Sequence, residues 1–444
     1  MPALRRRLND AGNATAARTA DGRRVSALGE RLGLPRIGTA RPFALAMIID
    51  AVGSGLFLPF SLLYFHYAGG LSLTEAGLGL TIAMLIAVPT PLAAGVLVDR
   101  VGPKTVAVAT NAARVAGFLG YLLVHDLTAL IAVALLISVS DRLFWVAQPA
   151  LIGEFATSGS RDRWFGLTVA LRAAGLGIGG LLAGLAVSSL GINGYHALVV
   201  ANAVSFALAA ALIGSLRVPG RAAVAALPAE PSPKGFRAVL ADRPFCWIVA
   251  SNVVFGIART MILVGFPVYA LQVLGAPAWL AGVLYAVYTA LLAVAQTSLV
   301  RRLEHHRRTR GLMLSALLWA GSFVLLAVAP LLPRQAIVAY LSAVTVLYTV
   351  AVMVHAGVID ALVIEAAPDT LRGRYVAAFN LSWAAANALA PGLFTTLLAW
   401  YVGLPWITLA ALLLLALVGV RRAEPGLARQ AVRIRSDQAS GMLP

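Results

Sequence analysis

Apolar stretches recur along the chain from Phe43 to Val420, and short turns or arginine-bearing loops separate them. Each is about twenty residues long, the length that carries a helix across about 30 Å of hydrocarbon. The pattern predicts helices over 43–66, 74–97, 104–124, 128–152, 165–189 and 196–216, and then over 245–271, 278–300, 311–331, 336–363, 375–400 and 404–420. We number these helices 1 to 12. Membrane strands need only about ten residues each, so a barrel is not expected. The expected class is an all-α membrane protein with 12 transmembrane helices.

Composition points the same way. Of 444 residues, 60% are hydrophobic and only 12% charged, too little polar surface to coat a water-soluble globule of this size. The bilayer is the better solvent. The single cysteine, Cys246, excludes an intrachain disulfide.

The net charge of +17 raises the question of nucleic acid, and its placement answers it. Nine arginines precede residue 43, and most other basic residues fall in 99–104, 157–164, 217–243, 301–310, 372–374 and 421–435. Those are alternate loops, and Arg334 alone occupies the loops between them. A nucleic-acid face would cluster its charge rather than alternate it. Alternation is the positive-inside pattern and places both termini in the cytoplasm. No apolar core interrupts residues 1–42, so a cleavable signal peptide is not expected. Arginine far outnumbers lysine and alanine is abundant, which suggests a bacterial cell (inner) membrane.

The two sets of six helices resemble each other. PALIGEFATSGSRDRWFGL from 149 aligns without gaps to DALVIEAAPDTLRGRYVAA from 360, matching Glu154 with Glu365, Arg161 with Arg372 and Arg163 with Arg374. LVDR at 97 similarly matches LVRR at 299. Repeats of an even number of helices are parallel, related by an axis along the membrane normal. The expected organisation is a basic tail over 1–42, a six-helix bundle over 43–216, and a Pro- and Ser-bearing solvated linker over 217–244. A second bundle over 245–420 and a tail over 421–444 complete it.

GVLVDRVGPK stands at 95–104, between helices 2 and 3. Asp99 at a helix end can face the positive start of a neighbouring helix, and Gly102 permits a tight turn. Arg100 and Lys104 are expected in water or lipid headgroups. Gly95, Asp99, Arg100, Gly102 and Lys104 resemble the loop signature of the major facilitator superfamily, with Pro103 in place of one of its basic residues. The resemblance covers about 41–420 and implies a 12-helix transporter in which this loop latches the halves together near the start of helix 11. On helix 1, Asp50, Gly53, Gly55 and Pro59 resemble the first-helix pattern of proton-coupled drug antiporters. Helix 5 departs from that pattern, because GLGIGGLLAG at 175 lacks the Gly-Pro pair usual in exporters.

The resemblance also implies that helices 1, 4, 7 and 10 line a central cavity. Charges inside the bilayer cost roughly 2.5 to 3.5 kcal/mol each on insertion scales, so they call for a partner, water or a function. Asp50 is the candidate proton-coupling residue; a structural ion pair with an intramembrane arginine is its alternative. Ser54, Phe57, Ser61 and Tyr64 continue its stripe along helix 1 and are candidate cavity residues. Arg142 and Trp145 on helix 4, Asn252 and Arg259 on helix 7, Tyr348 and His355 on helix 10, and Asn387 on helix 11 join them. Tyr285 and Tyr288 on helix 8 and Trp383 on helix 11 could also touch substrate. Glu154 with Arg161 and Glu365 with Arg372 are expected gate salt bridges at the cytoplasmic side. The helix 5 glycines allow either close packing or a hinge.

Lys104 and Lys234 are the only lysines, and GPKT at 102 is not a phosphate loop. No zinc, thiol or nucleophile-elbow motif occurs, so neither an enzyme nor a cofactor or metal is expected. The expected function is proton-coupled efflux of small amphipathic organic compounds by a monomer in the lipid bilayer. Import of a nutrient or metabolite by symport is the alternative, and a non-transporting sensor or enzyme the third reading.

Overall fold

The structure is a computed structural model that describes residues 35, 38–156, 160–217, 233–303, 307–368 and 371–432. Of the expected basic tail over 1–42, residues 1–34, 36 and 37 lie outside the described residues, as do most of the linker and the last twelve residues, while 38–42 already belong to the first helix. Helices account for nearly all the rest, in the expected order. Helix 1 is Gly38–Tyr67, helix 3 Pro103–Tyr121, helix 4 Leu127–Phe155, helix 5 Arg161–Leu190 and helix 6 Ile192–Ser215. Helix 7 is Arg243–Val273, helix 8 Ala278–Leu303, helix 9 Arg308–Val328, helix 10 Ile337–Ala366, helix 11 Arg372–Trp400 and helix 12 Leu404–Ala423.

Helix 2 differs from the expectation. It is two helices, Leu73–Ile86 and Thr90–Val101, broken at Ala87–Pro89. Pro89 and Pro91 lack the backbone N–H groups that would close the preceding turns, so the helix cannot run through. Pro59 similarly turns helix 1 into a 3₁₀ step at Leu58–Phe60. Among the described residues, ten helices pass as membrane spans on length and hydropathy, and helices 2 and 3 are too short or too polar to do so. Helix 3 is polar because it carries Thr110, Asn111 and Arg114, all buried. Large apolar side chains are exposed on the outside instead, with Leu123, Val294, Leu331 and Trp400 at least three-quarters exposed. Part of the linker is also helical, over Pro233–Ala241, with Lys234 and Arg237 along it.

The repeat is visible in the packing. The Tyr64 hydroxyl of helix 1 donates to the Tyr121 carbonyl of helix 3 at 2.9 Å, and the Tyr269 hydroxyl of helix 7 donates to the Leu326 carbonyl of helix 9 at 2.7 Å. Each pair spans 57 residues. One tie therefore recurs in both six-helix halves.

Twelve crossings place the Arg-rich loops at one end, called here the basic end. The halves meet chiefly at the opposite end. There Leu73–Ile86 packs on helix 11, helix 5 on helix 8, and the last turns of helix 1 on helix 7. Small residues make this possible. A Cβ on Gly77 would strike Thr395 and Pro391 of helix 11, and one on Gly282 would strike the backbone of Gly180 and Gly184. The Gly392 N–H donates across the interface to Thr81 Oγ1 at 2.9 Å. The other half of helix 2, Thr90–Val101, packs on helices 3 and 4 of its own bundle.

Candidate functional site

A cavity of about 450 Å³ lies between the halves, in the size range of about 300 to 1,000 Å³ that small organic ligands occupy. Helices 1, 5, 7, 8, 9, 10 and 11 wall it. Leu176, Ile262, Leu263, Phe266 and Leu284 make most of the wall apolar. Its polar groups are Arg172, Arg259, Thr260, Tyr285, Tyr288, Thr289, Thr345, Tyr348, Trp383 and Asn387.

Arg259 projects from helix 7 over the Trp383 ring, 5.4 Å from its centroid. The Tyr348 hydroxyl donates to the Arg259 carbonyl at 3.4 Å, and the Thr260 hydroxyl donates to Asn387 Oδ1. On the other side of the cavity, Arg172 of helix 5 lies over the Trp145 ring at 4.3 Å. The Trp145 indole N–H donates to Asp141 Oδ1 at 3.2 Å, and that same oxygen accepts from Arg114 Nη2 at 2.9 Å. Arg114 Nη1 then reaches Asp50 Oδ1 at 3.4 Å. Asp50, Arg114, Asp141, Trp145 and Arg172 thus form one chain from the core of the first half to the cavity wall. The Arg114 side chain is 2% exposed and the Asp50 side chain 4%, whereas that of Asp141 is 53% exposed in the middle of helix 4. Phe144 and Phe206 close over Arg114, at 4.6 and 5.0 Å.

Among the expected cavity residues, the structure brings Arg259, Tyr348 and Asn387 to the wall, with Trp145 stacked behind it. The helix 1 stripe is elsewhere. Phe57 and Tyr64 are buried in an aromatic cluster with Phe65, Phe118 and Tyr121, and the Ser61 hydroxyl donates to its own helix at Leu58. Ser54 does not line the cavity either; helix 1 reaches the wall at Leu58 and Pro59. Arg142 points to the break in helix 2, donating to the Met84 carbonyl at 3.2 Å. Asn252 is buried against Ser382 at 2.8 Å, and His355 is buried among Phe255, Trp319 and Trp383. A polar stripe facing its own bundle has the same spacing as one facing a cavity.

The loop and gate residues lie at the basic end. Gly102 has φ +93°, a conformation that side-chain-bearing residues rarely adopt. Gly95 has open space around its Cβ position, and Asp99 and Arg100 are exposed. Lys104 does not stay in water or headgroups. It donates to the Leu216 carbonyl at 2.8 Å, at the carboxyl end of helix 6, where a cation is favoured. Arg161 reaches the Gly153 carbonyl at 3.5 Å, one residue before Glu154. Glu365 forms an ion pair with Arg308 of helix 9, at 2.7 Å, a contact within its own half and not the expected one along the sequence to Arg372. Helix 9 begins beside the end of helix 10, which brings the Arg308 guanidinium to the carboxylate.

Arg172, Tyr285, Tyr288 and Trp383 complete the wall. Arg172 carried a signal, as one of the four arginines inside predicted helices with Arg114, Arg142 and Arg259, but no pattern tied it to the cavity. Arg114 carried the same signal.

Two related six-helix halves around a central cavity, packed together at one end, have the architecture of membrane transporters. Residues 43–391 match the Major Facilitator Superfamily, and the chain belongs to that family. A curated relative, the uncharacterized MFS-type transporter YttB of Bacillus subtilis (strain 168), is 28% identical over 144 residues, which is 32% of this chain and 36% of the relative. The chain therefore matches little more than a third of that relative's length. Among solved structures, the nucleoside transporter NupG superposes with TM-score 0.73 at 13% identity, covering 88% of this chain and 99% of NupG. The inward open conformation of the xylose transporter XylE from E. coli gives 0.68 at 13% identity, over 88% and 97% of the two chains. The peptide transporter POT gives 0.69 at 17% identity, over 90% and 98%. At these identities the likeness is one of fold.

Proposed function

We propose that the protein is a proton-coupled exporter of small amphipathic organic compounds, working by alternating access as a monomer in a bacterial cell membrane. The positive-inside rule places the basic end in the cytoplasm, so the packed end is extracellular and the state described is inward-facing. The observation that carries the reading is the single cation, Arg114, shared by Asp50 and Asp141. Two carboxylates on one guanidinium leave one negative charge, which one proton neutralises. Asp141, half exposed, gives that proton an aqueous route to Asp50 on helix 1. Arg259, Tyr348, Asn387 and Trp383 contact the substrate. Asp99, Arg100 and the gate residues Glu154, Arg161, Glu365 and Arg372 act when the cytoplasmic side closes.

Proteoliposomes with an imposed pH gradient test it. Wild type accumulates substrate uphill, and Asp50→Asn exchanges substrate without accumulating it. Uphill accumulation by Asp50→Asn at the wild-type level would falsify coupling through Asp50.

The glycines of helix 5 favour a second reading, uptake by symport. Gly175 and Gly179 pack on helix 1 and Gly180 and Gly184 on helix 8, with no Gly-Pro pair of the exporter kind. Accumulation in everted vesicles supports export, and accumulation in right-side-out vesicles supports uptake.

A further inference from the structure

We propose that the substrate is an organic anion, an apolar body bearing one carboxylate, sulfonate or phosphate group, held between Arg172 and Arg259. This rests on the transporter reading above but not on its direction or its coupling.

Both guanidiniums stand in the cavity wall, one from each half, and no aspartate or glutamate is among the residues lining it. Among the described residues, no carboxylate lies within 4.0 Å of either. Asp360 is the acidic group that acts on Arg259 from a distance, and it is not in the wall. What each arginine has instead is an indole face, Trp145 at 4.3 Å and Trp383 at 5.4 Å. A π face holds a guanidinium in place without neutralising its charge, and Arg259 also hydrogen-bonds the neutral Tyr288 side chain, which leaves its charge uncompensated within the wall. Asp50 acts on Arg172 from a distance, as Asp360 does on Arg259, but both carboxylates stand outside the wall, so the two cations give the chamber itself a positive lining.

Arg172, Arg259 and Tyr285 line the same cavity, and Tyr285 stands within electrostatic reach of both cations. An anion there accepts from planar guanidinium forks, an arrangement that gives strong charge-assisted hydrogen bonds. The surrounding leucines and Phe266 accommodate an apolar body. A cationic compound would instead meet two like charges and no carboxylate in the wall. Because Arg172 belongs to helix 5 and Arg259 to helix 7, an anion bound to both also ties the two halves together, which makes occupancy felt by the rocking motion. Export of such an anion moves with the inside-negative membrane potential.

The test is thermal stabilisation of the purified full chain in detergent by probes sharing one phenylbutyl body: the carboxylate, sulfonate and phosphate monoester against the amine and the alcohol. Binding to the folded state raises the melting temperature in a concentration-dependent way. At least one anionic probe is expected to stabilise more than the amine and the alcohol. Arg259→Gln and Arg172→Gln should each weaken it by about tenfold or more, the scale of one lost charge-assisted hydrogen bond, and Arg259→Lys should recover part of the loss. Preference for the amine or alcohol, stabilisation by no member of the set, or unchanged anion affinity in both glutamine variants overturns the proposal. Equilibrium binding needs no pH gradient, so loss of coupled flux with intact anion binding would count against the coupling reading alone.

Discussion

Trp319 packs against Phe255 with ring centroids 5.7 Å apart, at the place in the second half that Arg114 and Asp50 occupy in the first. The repeated tyrosine tie fixes the correspondence. Asp50 lies fourteen residues before Tyr64 as Phe255 does before Tyr269, and Arg114 lies seven before Tyr121 as Trp319 does before Leu326. Phe144, over Arg114, corresponds to His355, beside Trp319, under the ungapped alignment of helices 4 and 10. The same fold position thus carries an ion pair in one half and an aromatic pair in the other. The scaffold does not require charge there.

That comparison sets the first prediction. Arg114→Leu leaves Asp50 buried without its cation and should cost about 3 to 5 kcal/mol, the usual penalty for breaking a buried pair from one side. The double variant Asp50→Leu, Arg114→Leu should regain most of that loss, since an apolar pair serves in the second half. Melting curves in detergent decide it. A double variant no more stable than the single one would mean that the pair is structural.

Trp145 connects Asp141 to Arg172 through its N–H and its ring face. Trp145→Leu removes both and frees Arg172 to move. Cation–π contacts are worth about 0.5 to 2 kcal/mol, so KM should rise several-fold to about thirtyfold, with a smaller change in maximal rate. An unchanged KM would exclude Arg172 from substrate binding in this orientation.

Gly77 meets Thr395 and Pro391 at the packed end of the halves. Gly77→Leu should push that end apart and populate the state open there. In a Cys246→Ser background, which removes the single native cysteine, a cysteine introduced at Asn387 should react more slowly with an impermeant maleimide added at the basic end. Equal labelling rates with and without Gly77→Leu would show that this contact does not hold the state described.

Asp99→Asn should lower transport while leaving expression and melting temperature near wild type, because losing an exposed charge at the end of a helix weakens one conformational state rather than the fold. Initial rates in proteoliposomes measure it, and normal kinetics would remove the latch assignment.

The helices are legible because a membrane span announces itself in its own residues. The break in helix 2 is not, although Pro89 and Pro91 are in plain view, since hydropathy follows side chains and the break is a matter of missing N–H donors. The stripe Asp50, Ser54, Phe57, Ser61, Tyr64 has sound helical spacing. It faces mostly into its own bundle, and periodicity alone does not say which of two polar or aromatic faces meets the cavity. Arg259, Tyr348 and Asn387 are found because helices 7, 10 and 11 present those faces to the other half. Lys104 reads as a solvent-facing residue because its partner, the Leu216 carbonyl, lies 112 residues away.

Class, crossing number, charge asymmetry and the twofold repeat are local or additive properties of the chain, so reading along it is enough to establish them. Which charges meet is different. Arg114 finds Asp50 and Asp141, Arg308 finds Glu365, and Arg172 reaches the cavity across Trp145 because glycines and other small residues set how closely each helix approaches its neighbour and how far it is rotated. Those rotations and depths exist only once the helices are packed, and they decide that the cavity is lined by two arginines instead of by Asp50.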